Sequence, residues 1–285
     1  MDKRKLLELI KSKNSVFTVN QRKFAKYLYD NLDEAAFVDI KTLALKSDVS
    51  IATIFRFSKK LGFSGFLDLK KEIKRIILNS FTYINRMDEF PIDKEKKIDD
   101  IFLLSLENDK KNIEDILSVN SIEKFKEAIS LILKSNKIFF HAFRNSIPST
   151  MQFYYIFKQL NSNSICLMDS LTLFDKLVNI GSSDLLIAVH FSRYSKEVEK
   201  VIDYAYEKKS RILYVTDSDL APRREKANIT FTLQHKSLSF FNNYVPTIAL
   251  FNAILCGLIN KNKSIYRKRL KDIDELMGKF NVLDD

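Results

Sequence analysis

The sequence predicts two domains of different class: an all-α N-terminal domain with a helix-turn-helix, then an α/β domain with a five-stranded parallel sheet flanked by helices. Three observations lead to this prediction. Two short amphipathic helices joined by a tight turn lie near residue 50, basic charge is concentrated in residues 1–80, and five short apolar runs alternate with helical patterns after residue 137. A chain of 285 residues is long enough for two domains of ordinary size.

The helix-turn-helix is predicted within residues 39–62. Asp39 and Ser50 are residue types that commonly cap helices, and residues 47–49 form a short connection between the two helices. Gly62 ends the second helix, because glycine tolerates the left-handed conformation. Any two amphipathic helices with a short loop give a similar pattern, so periodicity alone leaves a purely structural interpretation open.

The second of these helices has one apolar and one polar face. Ile54, Phe57 and Leu61 repeat at helical spacing, and the opposite side carries small, hydroxylic or basic side chains. Such side chains read base edges and hold phosphates, and we expect Thr53 and Arg56 to face bases. The candidate DNA-binding residues are Lys41, Ser50, Ala52, Thr53, Arg56, Lys59 and Lys60.

The charge distribution favours the same interpretation. The formal net charge is +11, and residues 1–80 hold 17 Lys+Arg against 9 Asp+Glu, a net of +8. Basic domains suit DNA because neutralising phosphates releases condensed counterions. A solvated, lysine-rich surface would give the same count, so charge alone does not decide between the two.

Further signals predict the domain organisation. Thr18 with Gln21, and Asn120 with Glu123, predict capping boxes, and Pro91 interrupts any helix. The predicted domains are a helix-turn-helix domain over 1–80, a helical linker over 81–119, an α/β domain over 120–262 and a C-terminal helix over 263–285. The linker helix carries an apolar stripe that must pack against its own second domain or against a partner chain.

Strands of the α/β domain are predicted at 137–141, 164–168, 184–189, 211–216 and 229–233. Helical patterns lie between most of these runs, most clearly at 195–208. Strands that alternate with helices form parallel sheets covered on both faces. An apolar helix over 246–260 and a polar amphipathic helix over 261–280 follow.

Composition argues against several protein classes. The sequence has no apolar run long enough to span a membrane, no secretory signal and only two cysteines, so we expect a cytoplasmic protein. Its three histidines lack a ligand spacing, so no metal is predicted. Only five glycines occur, and neither of the glycine-rich loops that cradle nucleotide phosphates is present, so no cofactor is predicted.

Two polar loops follow predicted strands, where ligands of open parallel sheets bind. The candidate ligand-binding residues are Arg144, Asn145 and Ser146 after the first strand, and Ser192, Arg193, Tyr194 and Ser195 after the third. Two arginines beside a helix N-terminus suit an anion. Alternatively, Ser195 is only a helix cap and the arginines are surface residues.

Both regions resemble one family. The run IKTLALKSDVSIATIFRFSKKLGFSGFLDLKKEI resembles the helix-turn-helix domain of RpiR-type (MurR/RpiR) bacterial transcriptional regulators. The run GSSDLLIAVHFSRYSKEV and the order of strands resemble the SIS (sugar isomerase) domain that follows it in that family. Together the resemblances cover about residues 15–80 and 120–260.

The resemblance implies a DNA-binding regulator whose SIS-like domain senses a small anionic metabolite, a sugar phosphate or a related carbohydrate derivative. In that family the third-strand loop reads Ser-Gly-x-Thr or Ser-Gly-x-Ser and binds phosphate; Ser192 and Ser195 match its hydroxyls, but Arg193 replaces its glycine. The first-strand loop, with the form Gly-x-Gly-x-Ser in the family, also lacks its glycines here. A carboxylate ligand is therefore equally possible.

The implied partners are a pseudo-palindromic DNA operator and a second copy of the chain, in a homodimer or homotetramer, without a membrane. Two alternatives stay open. The first is a sugar-phosphate isomerase, but residues 239–260 contain no Asp, Glu, His or Lys to act as a general base, and no catalytic residue is predicted. The second is a regulator with a ligand-free SIS domain that serves only in oligomerisation.

Overall fold

The computed structural model of the chain describes residues 3–80 and 97–281. The chain divides into two compact units, Met1–Phe90 and Pro91–Asp285. The predicted helix break at Pro91 and residues 81–96 of the predicted linker lie outside the described residues.

The first unit is helical, as predicted. Its helices are α1 (Lys3–Ser12), α2 (Val19–Asp30), α3 (Leu32–Ala35), α4 (Ile40–Lys46), α5 (Ile51–Lys60) and α6 (Phe66–Ser80). Local sequence sets the helix ends. Thr18 and Gln21 form the predicted capping box at the start of α2, where each side chain accepts from the other residue's backbone N–H.

Phe57 lies at the centre of the first unit's core. Its side chain is fully buried on α5, and its ring centroid is 4.8 Å from that of Phe17 and 5.1 Å from that of Phe24, which meets it edge-on. Burying such a side chain contributes roughly 1.5–3 kcal/mol. This packing fixes which face of α5 points outward.

The second unit contains the predicted sheet. Its strands are β1 (Ile138–Ala142), β2 (Ser164–Cys166), β3 (Leu185–Val189), β4 (Arg211–Thr216) and β5 (Ile229–Thr232). They pair in parallel in the order β2-β1-β3-β4-β5. The five-stranded parallel sheet is confirmed.

Helices cover both faces of this sheet. The helices of this unit are α7 (Ile98–Val119), α8 (Ile122–Leu133), α9 (Ile147–Leu160), α10 (Leu173–Leu177), α11 (Lys196–Glu207) and α12 (Val245–Lys279). The residues of β3 alternate between two cores: Leu185, Ile187 and Val189 join one, with α8, α9 and α12. Leu186 and Ala188 join the other, with α10 and α11. The continuous apolar run of this strand follows from burial on both faces.

The predicted cap at Asn120 is wrong. Ser121 caps α8 instead, with its side chain accepting from the N–H of Lys124. The buried amide of Asn120 bonds the edge strand β5: it accepts from the N–H of Thr232 at 3.0 Å and donates to that residue's carbonyl at 2.8 Å. The sequence pattern around Asn120 does not reveal this role, because Thr232 lies 112 residues away along the chain.

The two helices predicted after residue 245 are both present, as the two parts of α12, and they meet at a kink. Asn262 alone has non-helical dihedral angles within it (φ −132°, ψ 39°). This kink lies next to the boundary predicted between residues 260 and 261, where the sequence changes from apolar to polar.

Candidate functional site

Residues 39–61 form the predicted helix-turn-helix. The carboxylate of Asp39 accepts from the N–H of Thr42 at 2.8 Å at the start of α4, and Ser50 Oγ accepts from the N–H of Thr53 at 3.2 Å at the start of α5. Gly62 ends the motif with a φ of +97°, a conformation that suits glycine. Both predicted caps and the predicted stop are confirmed.

The predicted DNA-binding residues lie on the outer side of this motif. The exposed ones are Lys41, Ser50, Ala52, Arg56, Lys59 and Lys60, and Thr53 is half-buried. Ser50 Oγ and Thr53 Oγ1 are 2.9 Å apart. Because Ile54 and Phe57 are fully buried on the other side, α5 presents a stable basic and hydroxylic face.

Lys60 differs from the other predicted residues. Its ammonium donates to the carbonyl of Val16 at 2.6 Å and to Gln21 Oε1 at 3.0 Å, which ties the end of α5 to the start of α2. Sequence reasoning missed Phe55, which is 45% exposed, with the Lys59 ammonium 5.1 Å from its ring centre. Phe55 falls outside the repeat of Ile54, Phe57 and Leu61, so the helical periodicity was a signal that could have found it.

The two predicted ligand loops lie side by side in the second unit. They leave β1 and β3, which are neighbours in the sheet and end at the paired residues Ala142 and Val189. Strand order reverses between β1 and β3, so both loops border the switch point at which ligands of open α/β sheets bind.

Both arginines of these loops have left-handed backbones. Arg144 has a φ of 54° and Arg193 a φ of 71°, and both side chains are exposed. This region is strained for residues with a Cβ, by roughly 1–2 kcal/mol. The loops therefore keep glycine-like conformations while carrying cations. Of the other residues in the first loop, Asn145 is exposed and Ser146 is buried.

Asp217, directly after β4, holds the third-strand loop. Its carboxylate accepts from the N–H of Ser192 at 2.8 Å, from the hydroxyl of Ser192, and from the hydroxyl of Tyr194 at 2.7 Å. Burial, followed by the negative charge of Asp217, raises the pKa of Tyr194, so its phenol stays protonated.

His190 fixes the other end of the same loop. Its Nε2 accepts from the N–H of Ser195 at 2.6 Å, and its Nδ1 donates to the hydroxyl of Tyr214 at 2.9 Å. That hydroxyl donates in turn to the carbonyl of Pro222 at 3.1 Å. Burial lowers the pKa of His190 to about 3, so the imidazole is neutral. Ser195 Oγ caps α11 by accepting from the N–H of Glu197.

His141 lies beside this loop on β1. Its side chain is fully buried, and Nδ1 is 3.1 Å from the carbonyl oxygen of Leu167. Its Nε2 has no hydrogen-bond partner among the described residues and lies 3.8 Å from the Glu197 carboxylate. Burial lowers the pKa of His141 to about 4.

Asp217, His190 and His141 were not among the predicted site residues. The rule that selected the two loops would also have selected Asp217, because it directly follows a predicted strand. The same rule would have selected His190, which directly follows the predicted strand 184–189. His141 gave no such signal, because it lies within a predicted strand and its neighbours Leu167 and Glu197 are distant in the sequence.

Two classes of feature are absent from residues 3–80 and 97–281. No helix there is long and apolar enough to cross a membrane. Those residues also bring together no group of three or more His, Cys, Asp or Glu side chains that could hold a metal ion.

Comparisons with known proteins agree with this architecture. The model of the helix-turn-helix domain of the rpiR family matches residues 4–80, and that of the SIS domain matches residues 131–256. An uncharacterised HTH-type transcriptional regulator of Clostridium perfringens (strain 13 / Type A) is 22% identical over 280 residues, which cover 96% of this chain and 99% of the relative. The HTH-type transcriptional regulator HexR of Escherichia coli (strain K12) is 19% identical over 278 residues, covering 95% and 94%.

A solved structure is similar over nearly the whole chain. The NanR protein of Vibrio vulnificus, complexed with ManNAc-6P, aligns with a TM-score of 0.64 and 16% identity, covering 95% of this chain and 98% of NanR. At this identity the likeness concerns the fold. The family models identify the two domains, a helix-turn-helix of the rpiR family in the first unit and a SIS domain that includes the sheet. This chain therefore belongs to the RpiR family of helix-turn-helix transcriptional regulators that carry a SIS domain.

Proposed function

We propose that this regulator docks α5 in the major groove of a double-stranded operator, and that its SIS domain senses a small anionic metabolite, a carbohydrate derivative. The exposed basic and hydroxylic face of α5, backed by a fully buried apolar face, carries the proposal. In this arrangement Thr53 and Arg56 face bases, while Ser50 and Lys59 lie nearer phosphates.

Selection of sheared genomic DNA on the purified protein, followed by sequencing, tests the DNA-binding part. We expect enrichment of one pseudo-palindromic site, with affinity that falls steeply as salt rises. Enrichment no greater than the salt-sensitive background would contradict specific binding.

The arginine loops support the metabolite-sensing part. Arg144 and Arg193 extend from adjacent loops at the switch point, beside the N-terminus of α11. Guanidinium groups and helix N-termini both favour anions. NanR was solved with a sugar phosphate, ManNAc-6P, which is consistent with an anionic carbohydrate derivative as the ligand class.

Arg193→Ala separates the two activities. The variant should bind the enriched operator with wild-type selectivity and lose the response of operator binding to metabolite extracts. Lys208→Ala, at the far end of α11, is the matched control and should keep the response. Loss of operator selectivity in Arg193→Ala would contradict the separation.

We further propose that the protein is a homodimer or homotetramer that associates through α7. This helix exposes an apolar stripe: Ile98 is 78% exposed, Phe102 64%, Leu106 51% and Leu117 75%. A two-fold pair would present two copies of α5 to two half-sites.

Sedimentation velocity of the double variant Phe102→Ser, Leu106→Ser should show dissociation. Ile122→Ser, an exposed residue of α8, is the control; an unchanged sedimentation coefficient in the double variant would contradict this interface.

An isomerase activity is the less favoured candidate. The start of α12 lies within residues 239–260, which contain no Asp, Glu, His or Lys. Nearby His235 packs against the Phe191 ring, with centroids 3.8 Å apart, and its Nδ1 bonds the carbonyl of Asn243. We expect no interconversion of aldose and ketose phosphates by NMR, and turnover would revive this candidate.

A further inference from the structure

We infer that Phe55 is a specificity-determining residue of this regulator, and that its ring contacts the methyl group of a thymine in each half-site of the operator. The inference rests on the proposed function, because it concerns the same docking of α5 in the major groove. It follows from the position of one aromatic side chain beside the polar and basic face of that helix.

Phe55 lies outside the buried core that fixes α5. Ile54, directly before it, and Phe57, two residues after it, are fully buried, whereas 45% of Phe55 is exposed. Contact of an apolar ring with water is unfavourable, and burial against another apolar group removes that contact. A partner that covers α5 therefore binds more tightly if it offers an apolar group to this ring.

The ring belongs to a row of side chains along the outer side of α5. Ile51, Phe55 and Lys59 are spaced four residues apart, and all three are exposed. Ala52 and Arg56 each follow a member of this row by one residue, and both are exposed. Because these two residues belong to the candidate DNA-binding surface, a helix that docks through them also brings Phe55 to the edges of the bases.

Two neighbours position the ring before any DNA binds. Gly65, which precedes α6, makes room for it, since a Cβ at this position would lie only 2.9 Å from Phe55 Cε2. The Lys59 ammonium is 5.1 Å from the ring centre, within the range of a cation–π contact. A side chain that is already positioned loses less conformational entropy when it meets its partner.

The major groove offers one kind of apolar group to such a ring. Base edges there present hydrogen-bond donors and acceptors, and thymine alone adds a methyl group, at C5. The minor groove, about 6 Å wide, does not admit an α-helix, whereas the major groove, about 12 Å wide, does. Contact with a thymine methyl is therefore the apolar base contact that Phe55 can make from a docked α5.

Operators that contain deoxyuridine test the inference on the full chain. Deoxyuridine lacks only the C5 methyl of thymidine, so each thymine of the enriched operator is replaced in turn, in both half-sites together. Fluorescence anisotropy at fixed ionic strength measures each affinity. We expect one position at which the replacement weakens binding by about fifteenfold, because burial of each of the two methyls contributes about fourfold in affinity.

Phe55→Ala assigns this methyl effect to the ring, and the variant should bind the thymine and deoxyuridine operators equally. Tyr29→Ala is the matched control and should keep the full effect. Tyr29 is 44% exposed and has the Lys11 ammonium 5.0 Å from its ring centre, but it lies on α2. Gly65→Ala should reduce the effect, because the added Cβ displaces the ring. Thermal unfolding of each variant confirms that it is folded.

Three results overturn the inference: no position at which deoxyuridine weakens binding of the wild-type protein, a methyl effect that persists in Phe55→Ala, or one that Tyr29→Ala also abolishes. An unchanged effect in Gly65→Ala would overturn the part that this glycine plays in positioning the ring.

The genomic selection separates the failure of this inference from that of the proposed function. Enrichment of no operator would overturn the proposed DNA-binding function together with the inference. An enriched operator without a methyl effect would overturn the inference alone.

Discussion

Residues 39–60 carry the whole candidate DNA-binding surface, whereas the ligand site draws on the ends of three strands between His141 and Asp217. On the surface, each predicted side chain projects from a short stretch whose caps lie within three residues of their partners. At the ligand site, Ser192 is held by a carboxylate 25 residues away. Single residues of the DNA-binding surface can therefore be changed without moving the others. A change at one strand end of the ligand site also affects the loop that it holds at another.

The two regions also differ in how they are solvated. Arg56 and Lys59 of the surface are exposed, so salt screens their interactions. His190 and His141 of the ligand site are buried and neutral. We therefore expect ionic strength to change the affinity for DNA, and acidification to lower the stability of the second unit.

Phe57→Ala should have the largest effect, because it empties the centre of the first unit's core. Truncating a buried Phe costs about 3–5 kcal/mol, enough to unfold a small helical domain. Calorimetry should show loss of the first unit's transition while that of the second unit stays. Phe55→Ala, at an exposed position, should lower the free energy of unfolding of the first unit by less than about 0.5 kcal/mol. Equal shifts in both transitions would show that the units are not independent.

Arg56→Ala should reduce discrimination between the enriched operator and a shuffled sequence by about 1–3 kcal/mol, because one base contact is lost. Fluorescence anisotropy measures both affinities. Lys71→Ala, an exposed residue of α6, removes the same charge elsewhere in the domain and should leave the discrimination unchanged. Wild-type selectivity in Arg56→Ala would remove this residue from the recognition surface.

Acidification should destabilise the second unit and spare the first. The pKa of His190 is lowered to about 3 and that of His141 to about 4 by burial, whereas an unfolded chain binds these protons near pH 6.5. The unfolded state therefore binds more protons between about pH 6.5 and pH 4, and stability falls as pH falls, by about 2 kcal/mol per histidine at pH 5.

Calorimetric scans at pH 7, 6 and 5 measure this difference. All three histidines of the chain lie at or beyond residue 141, so the transition of the first unit should stay constant. His190→Gln should remove roughly half of the acid sensitivity. A first-unit transition that moves as far as the second would show that these histidines are not its source.

The smallest effects should come from matched helix caps. Ser50→Ala and Ser195→Ala each remove one side-chain acceptor at a helix N-terminus, at α5 and α11, and each should cost about 1 kcal/mol. Their functional effects should differ. Operator binding should weaken in the first variant and ligand binding in the second, and a reversed pattern would contradict the assignment of the two sites.

Sequence reasoning succeeded where the signal was local. The capping box at Thr18, the caps at Asp39 and Ser50, the stop at Gly62 and five apolar runs predicted the helix-turn-helix and the sheet. It failed at Asn120, where the pattern of a helix cap belongs to a side chain that hydrogen-bonds the backbone of β5. It also missed Asp217 as the partner of the third-strand loop, because that pairing exists only once β3 and β4 are neighbours.

The sequence by itself determined the order of the two domains, their fold classes, the polar face of α5 and the two loops that flank the switch point. Periodicity and capping act over a few residues, so they can be read along the chain. The tertiary structure decided which donors of the third-strand loop are engaged, which histidines are buried and that Lys60 anchors α2. These properties depend on contacts between segments distant in sequence, which exist only after the chain has folded.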